Sequence, residues 1–330
     1  MTRRLHVLAW VWVFILYLAV MFVLTVRIDY RITAPGNLEP IDSFIRFDLE
    51  REENPRYYAV YVMSIDRPTI FQFIMAQFMP YVRVDALPEA VHGVSTPDLF
   101  RSGQVARNSA IDASIITVFE RLGLPIVYEQ QYLISLVFNF ISEPRVNVGD
   151  RILRVNGSSD VLEAIAQTPC GETATFELMT TRGDIRTFEI ERQEAENCRF
   201  GLNIQQFYDI QEIGLTFDVR ENLIGGPSSG LMQTLYLYDL LSDLNLSQSL
   251  KVAGTGTILI DGRVGSVGGI EQKIFTAHLD QVDVFFVPRG SNYELARATY
   301  ERLDNPSFVL IPVGSFEEAI EALIALREGS

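Results

Sequence analysis

The chain is 330 residues long, 48% apolar, and carries a formal net charge of −15 with a pI near 4.7. The apolar share excludes a disordered chain, and the acidity leaves no basic patch to neutralise phosphates, which excludes a nucleic-acid binder. The length exceeds one ordinary core and implies two or three domains.

Residues 5–26, LHVLAWVWVFILYLAVMFVLTV, form an apolar run long enough to cross a bilayer at about 1.5 Å per residue. Arg3 and Arg4 precede it, while Arg27 and Arg31, partly offset by Asp29, follow it. The slight bias predicts a cytoplasmic start and an extracytoplasmic bulk. A cleaved signal peptide is the competing reading, but the apolar run is too long for one and no Ala-x-Ala site follows. Residues 1–32 are therefore expected to be a cytoplasmic N-terminus and a single-pass signal anchor in the cell membrane.

Residues 33–124 read as a small β-rich module followed by a helix. Ile41–Leu49 and Tyr57–Ile65 alternate apolar and polar residues in places, as half-buried strands do. Ile70–Met79 reads as a short helix whose Phe71, Phe73 and Phe78 pack into a core, and His92 as a surface loop residue. From about Ser102 to Gly123, Ile111, Ile115, Phe119 and Leu122 recur on one helical face, and Gly123 and Pro125 end the helix.

Residues 125–199 carry strands around Val148-Gly149-Asp150-Arg151-Ile152-Leu153-Arg154-Val155-Asn156-Gly157. This Gly-Asp-x-Ile-Leu-x-Val-Asn-Gly pattern, a turn, a buried strand and an Asn-Gly turn, resembles the PDZ domain. Val161–Gln167 then suits the short helix of that fold, with Thr173–Leu178 and Arg186–Ile190 as closing strands. The resemblance implies binding of peptide C-termini by strand addition. The chain departs from the family at the carboxylate-binding loop, where Tyr132–Val137 runs with little interruption into Ser142-Glu143-Pro144, so the domain is degenerate and a purely structural or docking role stays open. Cys170 and Cys198 form no Cys-x-x-Cys pair; they are either one disulfide or two buried thiols.

In residues 200–330, strands are expected at Leu215–Arg220, Ala253–Ile260, Val282–Val287 and Val309–Val313, with a hairpin turn at Asp261-Gly262. Helices are expected at Leu231–Leu241, Ile270–Leu279 and Phe316–Leu326, the last with Ser315 and Glu318 as a capping box. This interleaving is α/β or α+β.

The chemistry concentrates between Gly225 and Lys273. Ser228 lies in the turn Gly225-Gly226-Pro227-Ser228-Ser229-Gly230, just before a helix whose free N–H groups suit a developing oxyanion. A plain N-cap explains the same serine. The chain holds only two lysines, Lys251 and Lys273, among 27 basic residues. A general-base lysine must lose its proton near neutrality, which burial against Ile270, Ile274 and adjoining strands achieves; a solvated helix lysine is the bland alternative. A Ser-His-acid hydrolase is a poor reading, because the only histidine after Gly-Pro-Ser-Ser-Gly is His278, too close for that fold. No Gly-Lys-Ser/Thr phosphate loop occurs.

Gly226–Gly230, then Gly254-Thr255-Gly256-Thr257-Ile258, then Gly262–Lys273, resemble the proteolytic domain of Lon proteases. By position, Ser228 matches that family's nucleophile, Lys273 its base and Thr255 the threonine that positions the lysine, with Gly226 and Pro227 leading into the turn. The family usually has Ala where this chain has Ser229, the fallback nucleophile. The order of anchor, PDZ-like domain and Lon-type domain is similar to membrane-anchored, PDZ-containing Lon-like serine proteases. The resemblance implies a Ser/Lys-dyad endopeptidase acting on unfolded or membrane-proximal proteins without ATP, metal or other cofactor, in a homo-oligomeric ring. The alternative is a catalytically silent Lon-like/PDZ scaffold that binds protein partners at the membrane. A labelling probe for active serines separates the two.

Overall fold

The computed structural model describes residues 2–47, 55–88, 91–220, 224–242 and 244–328. It is an α+β assembly of several parts. Helix α1 (Thr2–Thr25) is 24 residues long, about 36 Å. Within it, Leu8–Thr25 is apolar and long enough to span a membrane, and none of that window is buried in the protein. Strands β1 (Tyr30–Pro40), β2 (Ile45–Phe47) and β3 (Tyr57–Asp66), helix α2 (Ile70–Ala76) and strand β4 (Arg83–Ala86) follow. Of the strand expected at Ile41–Leu49, residues 41–43 form a helical turn, 45–47 form β2, and 48–49 lie outside the described residues.

Helix α3 (Thr96–Leu122) starts earlier than its apolar stripe indicates. Ser95 caps it by accepting the Asp98 N–H at 3.2 Å, a proline occupies its first turn, and Gly123 ends it in the left-handed conformation. Between Ala110 and Phe119 it is buried on nearly every side, not on one face alone.

Strands β5 (Ile126–Val137), β6 (Arg151–Val155), β7 (Thr173–Met179), β8 (Ile185–Glu191) and β9 (Leu202–Ile213), with helix α4 (Val161–Gln167), form a five-stranded sheet ordered β8-β7-β6-β5-β9. The Gly-Asp and Asn-Gly motifs have structural reasons here. The buried Asp150 carboxylate accepts the Asn147 and Thr181 N–H groups at 2.9 and 3.1 Å. Asn156 accepts the Thr175 N–H at 2.8 Å and donates to Thr168 Oγ1. Cys170 and Cys198 are joined in a disulfide. Residues 126–137 run as one strand paired with β9 along its length, with register shifts between Val127 and Tyr128 and between Ile134 and Leu136.

The C-terminal part supplies β10 (Phe217–Val219), α5 (Gly230–Ser242), β11 (Val252–Gly254), β12 (Thr257–Ile258), β13 (Val264–Gly265), α6 (Ile270–Leu279), β14 (Val284–Pro288), α7 (Ser291–Tyr300), β15 (Val309–Val313) and α8 (Phe316–Glu328). The Asp261-Gly262 turn closes the β12–β13 hairpin. At α8, Ser315 Oγ accepts the Glu318 N–H at 3.3 Å, but the Glu318 carboxylate takes the Gly314 N–H rather than completing a capping box.

The stretch expected as a small β-rich module does not keep its strands to itself. One six-stranded sheet runs β15-β14-β11-β3-β1-β4. Its β15, β14, β11 and β3 are parallel, while β1 is antiparallel to both β3 and β4. Alternate residues feed two cores, as the period of a strand dictates. Tyr57, Ala59, Val252, Val284 and Phe286 face α5 and α8. Val60, Ala253, Phe285 and Val287 face α6 and α7. Asp239 of α5 ties β3 to this core: fully buried, it accepts from Tyr57 Oη at 3.1 Å and from the Leu246 and Ser247 N–H groups at 2.7 and 3.0 Å.

One expectation is corrected outright. Phe71 and Phe78 do not pack into a core: Phe71 is 47% and Phe78 79% exposed, and of the three only Phe73 is half-buried, its ring 4.8 Å from that of Tyr30.

Candidate active site

Ser228 sits in the turn before α5, half-buried, two residues ahead of the first helical residue Gly230. The turn is held from three sides. Gly226, at φ 95°, takes a left-handed conformation that favours glycine, and its N–H donates to the Gly103 carbonyl of α3 at 2.7 Å. The Pro227 carbonyl accepts the Gly230 N–H at 3.2 Å. The Ser228 carbonyl accepts the Gly256 N–H at 2.9 Å and the Thr255 hydroxyl at 3.1 Å. Among the described residues the Ser228 and Ser229 N–H groups donate to no protein acceptor, which leaves them at the N-terminal end of α5 for an incoming oxygen.

Thr255 lies where the expected Ala253–Ile260 strand breaks. β11 stops at Gly254 and β12 resumes at Thr257, so Thr255 leaves the sheet and turns beneath the serine loop. It is fully buried, its N–H donates to the Phe286 carbonyl at 2.9 Å, and its Oγ1 accepts from Lys273 Nζ at 2.8 Å. With its single proton given to the Ser228 carbonyl, the threonine oxygen meets the lysine as an acceptor.

Lys273 comes from the first turns of α6. The helix begins after Gly269, which sits at φ 70° with no room for a side chain: an added Cβ would stand 2.7 Å from Val62 Cγ1. Lys273 is 2% exposed, on a helix whose Ile270 and Ile274 belong to a buried apolar cluster. Burial pushes its pKa down from the ordinary 10.5 to about 7, and the N-terminal end of a helix acts in the same direction. A neutral lysine amine has one lone pair, and with an N–H committed to Thr255 that lone pair remains to take a proton. Among the described residues no hydrogen bond links the Ser228 hydroxyl to the lysine directly; the connection runs through Thr255.

Ser229 is engaged otherwise. Its Oγ pairs with Gln233 Nε2 at 3.0 Å on the first turn of α5. Sequence reasoning passed over Gln233, which is fully buried; its place four residues after Ser229 is the only signal of the contact. A cavity of about 500 Å³ opens beside Pro227, walled by Thr257–Asp261, by Ala106–Ala113 of α3 and by Gln205–Tyr208 of β9. A larger cleft, about 660 Å³, lies between α3 and residues 145–186, and Lys273 does not line it.

Residues 198–325 match the family described as Lon protease (S16) C-terminal proteolytic domain. This part of the chain is related to the Lon proteases. The chain is 27% identical to the Lon protease of Mesomycoplasma hyopneumoniae (strain 232) over 162 residues, 45% of this chain and 18% of that one. It is 33% identical to the Lon protease of Mycoplasmopsis agalactiae over 134 residues, 40% and 13% of the two chains. With the mitochondrial Lon protease homolog of Debaryomyces hansenii it shares 35% identity over 98 residues, 30% and 9%. The chain thus spans a fifth or less of the length of these relatives. All of Ser228, Thr255 and Lys273 fall inside the Lon-type match, whereas β1, β3, β4 and α3, which complete the same sheet and hold the serine turn, lie outside it.

Proposed function

We propose that this protein is a membrane-anchored serine endopeptidase working through Ser228 and Lys273. The observation that carries the reading is a buried lysine, its pKa brought to about 7, tethered through Thr255 to the residue that heads a buried helix. In the reaction the Ser228 hydroxyl attacks a peptide carbonyl and gives its proton to Lys273. The free N–H groups at the start of α5 hold the oxyanion. Lys273 then returns the proton to the leaving amine, forming an acyl-enzyme, and next draws a proton from the water that hydrolyses it. Catalytic hydrogen bonds often close only around the substrate, which fits a serine hydroxyl that does not yet contact its base. The engagement of Ser229 by Gln233 leaves Ser228 as the nucleophile.

Helix α1 is the membrane anchor in this reading, with the C-terminal bulk outside the cytoplasm. Arg3 and Arg4 ahead of the apolar run support that orientation, as does a disulfide, a bond that persists in oxidising compartments. The sheet of β5–β9 with α4 is read as a degenerate PDZ-like module. The substrates in this reading are unfolded or membrane-proximal polypeptides, cleaved without nucleotide.

The test is incubation of the full chain in detergent with an unfolded protein, alongside Ser228→Ala and Lys273→Met. Both variants should lose cleavage while staying folded, and added ATP should leave the wild-type rate unchanged. Cleavage surviving in both variants would sink the dyad. The missing direct Ser228–Lys273 contact also suits a catalytically silent scaffold; failure of a fluorophosphonate to label Ser228 would favour that reading.

A further inference from the structure

Among the described residues, the large apolar side chains of α2 and of the turn that follows it to Met79 stay largely uncovered. Phe71, Ile74, Met75, Phe78 and Met79 are each between 43% and 79% exposed on ten residues of sequence. A water-soluble surface rarely gathers so many large apolar side chains without a purpose. Their position supplies one. The chain leaves α1 at Thr25 and at once pairs with the segment leading into α2. The Ile28 N–H donates to the Pro68 carbonyl at 3.0 Å, Arg27 and Thr69 form a β-bridge, and the Ile70 N–H donates to the Val26 carbonyl at 3.1 Å. The first turn of α2 is thus fastened to the last turn of α1. Thr69 and Gln72 cap it reciprocally, so the short helix is fixed rather than trailing.

We infer that α2 is a second membrane contact, an interfacial element whose exposed apolar face lies in the lipid boundary where α1 emerges. The inference rests on the reading of α1 as a membrane anchor. At about 36 Å, α1 is somewhat longer than the ~30 Å hydrocarbon core, so its last turn, and α2 bonded to it, fall at the lipid–water boundary. Aromatic residues and arginine stems suit that level. Tyr30 stacks edge-on against Phe73 there, and Arg27 donates to the Arg67 carbonyl at 3.0 Å. Arg67 in turn donates to the Val91 and Val94 carbonyls, drawing the 91–94 loop to the same side. A single spanning helix leaves the attached protein free to tilt and swivel. A second apolar contact bonded to its end fixes the orientation of the sheet from which Thr255 departs.

The chain has no free cysteine among the described residues, so Phe78→Cys supplies a unique thiol at an exposed position for an environment-sensitive NBD label. Val309→Cys, exposed on β15 at the opposite edge of the sheet from β4, is the control. The two tryptophans, Trp10 and Trp12, both lie in α1 and report the anchor independently. Full-length protein is reconstituted into phosphatidylcholine/phosphatidylglycerol vesicles with and without brominated acyl chains. The expected result is quenching of the tryptophans and of NBD at 78, the latter several-fold stronger than at 309. Quenched tryptophans with an unquenched label at 78 would overturn the inference and leave the anchor standing. Unquenched tryptophans would remove the anchor reading and this one with it. Equal quenching at 78 and 309 would mean general adsorption. A blue shift at 78 that follows protein density but not bromination would assign the face to a second copy; either result overturns the lipid contact.

Discussion

Replacing Lys273 by Met tests the central electrostatic feature through stability rather than activity. The side chain is 2% exposed, and its pKa in the folded chain is about 7 against an ordinary 10.5. The unfolded chain therefore holds this proton across a range in which the folded chain releases it. Stability rises with pH wherever the unfolded state binds more protons. The destabilisation from Lys273 is then fully present below about pH 7 and fades as pH climbs towards 10.5. Integrated from pH 7 to pH 9, the wild type gains roughly 2 kcal/mol from this residue alone. Met, unbranched and of similar volume, fills the site without a proton to exchange. The stability difference between Lys273→Met and wild type should thus shift by roughly 2 kcal/mol between the two pH values, in the direction that favours Met at pH 7. Urea titration read by pulse proteolysis, on the full chain in detergent, measures it, and other titrating groups cancel between the two proteins. A difference that stays constant from pH 7 to pH 9 would show that the amine is not depressed, and would remove its fitness as a general base.

Thr255→Val removes the hydroxyl that joins Lys273 to the Ser228 carbonyl; kcat should fall by about ten- to a hundredfold with little change in KM, and Thr255→Ser should restore much of it, as a positioning role requires. Asp239→Ala strands the buried Tyr57 hydroxyl and the Leu246 and Ser247 amides, and should destabilise the fold by about 3 kcal/mol in the same urea assay.

Much of the candidate site was legible because it is local. Helix α6 follows its double glycine, the 225–230 turn precedes an apolar helix, and Lys273 is one of two lysines, so these features announce themselves within a few residues. The partnership of β3 with β11 was not legible. Their paired residues, Tyr57 with Val252 and Ala59 with Gly254, lie nearly two hundred positions apart, and parallel pairing has no turn to advertise it. Strand β9, LNIQQFYDIQEI, hid for a different reason: its glutamines and acids dilute the alternation, and it is stabilised by pairing with eleven residues of β5 rather than by its own apolar face. The Ala253–Ile260 run reads as one strand, yet Gly256, at φ 153°, lets the chain leave the sheet where Thr255 is needed. Phe71 and Phe78 show the limit of composition. An apolar decapeptide says that water is avoided, not what replaces it.

Strand β3 belongs both to the sheet from which Thr255 departs and to the segment that turns into α2. Ala59 pairs with Gly254, one residue before Thr255, and Asp66 pairs with Arg31 at the foot of β1. From Ala59 to Asp66 an extended chain covers about 23 Å. That span makes up part of the distance between the α2 face and the serine turn. A polypeptide leaving the bilayer would cover that part with about seven extended residues. If α2 lies in the lipid boundary and Ser228 is the nucleophile, as proposed, length of exposed tail, before any preference for side chains, would decide which substrates arrive, through a spacer built into the sheet.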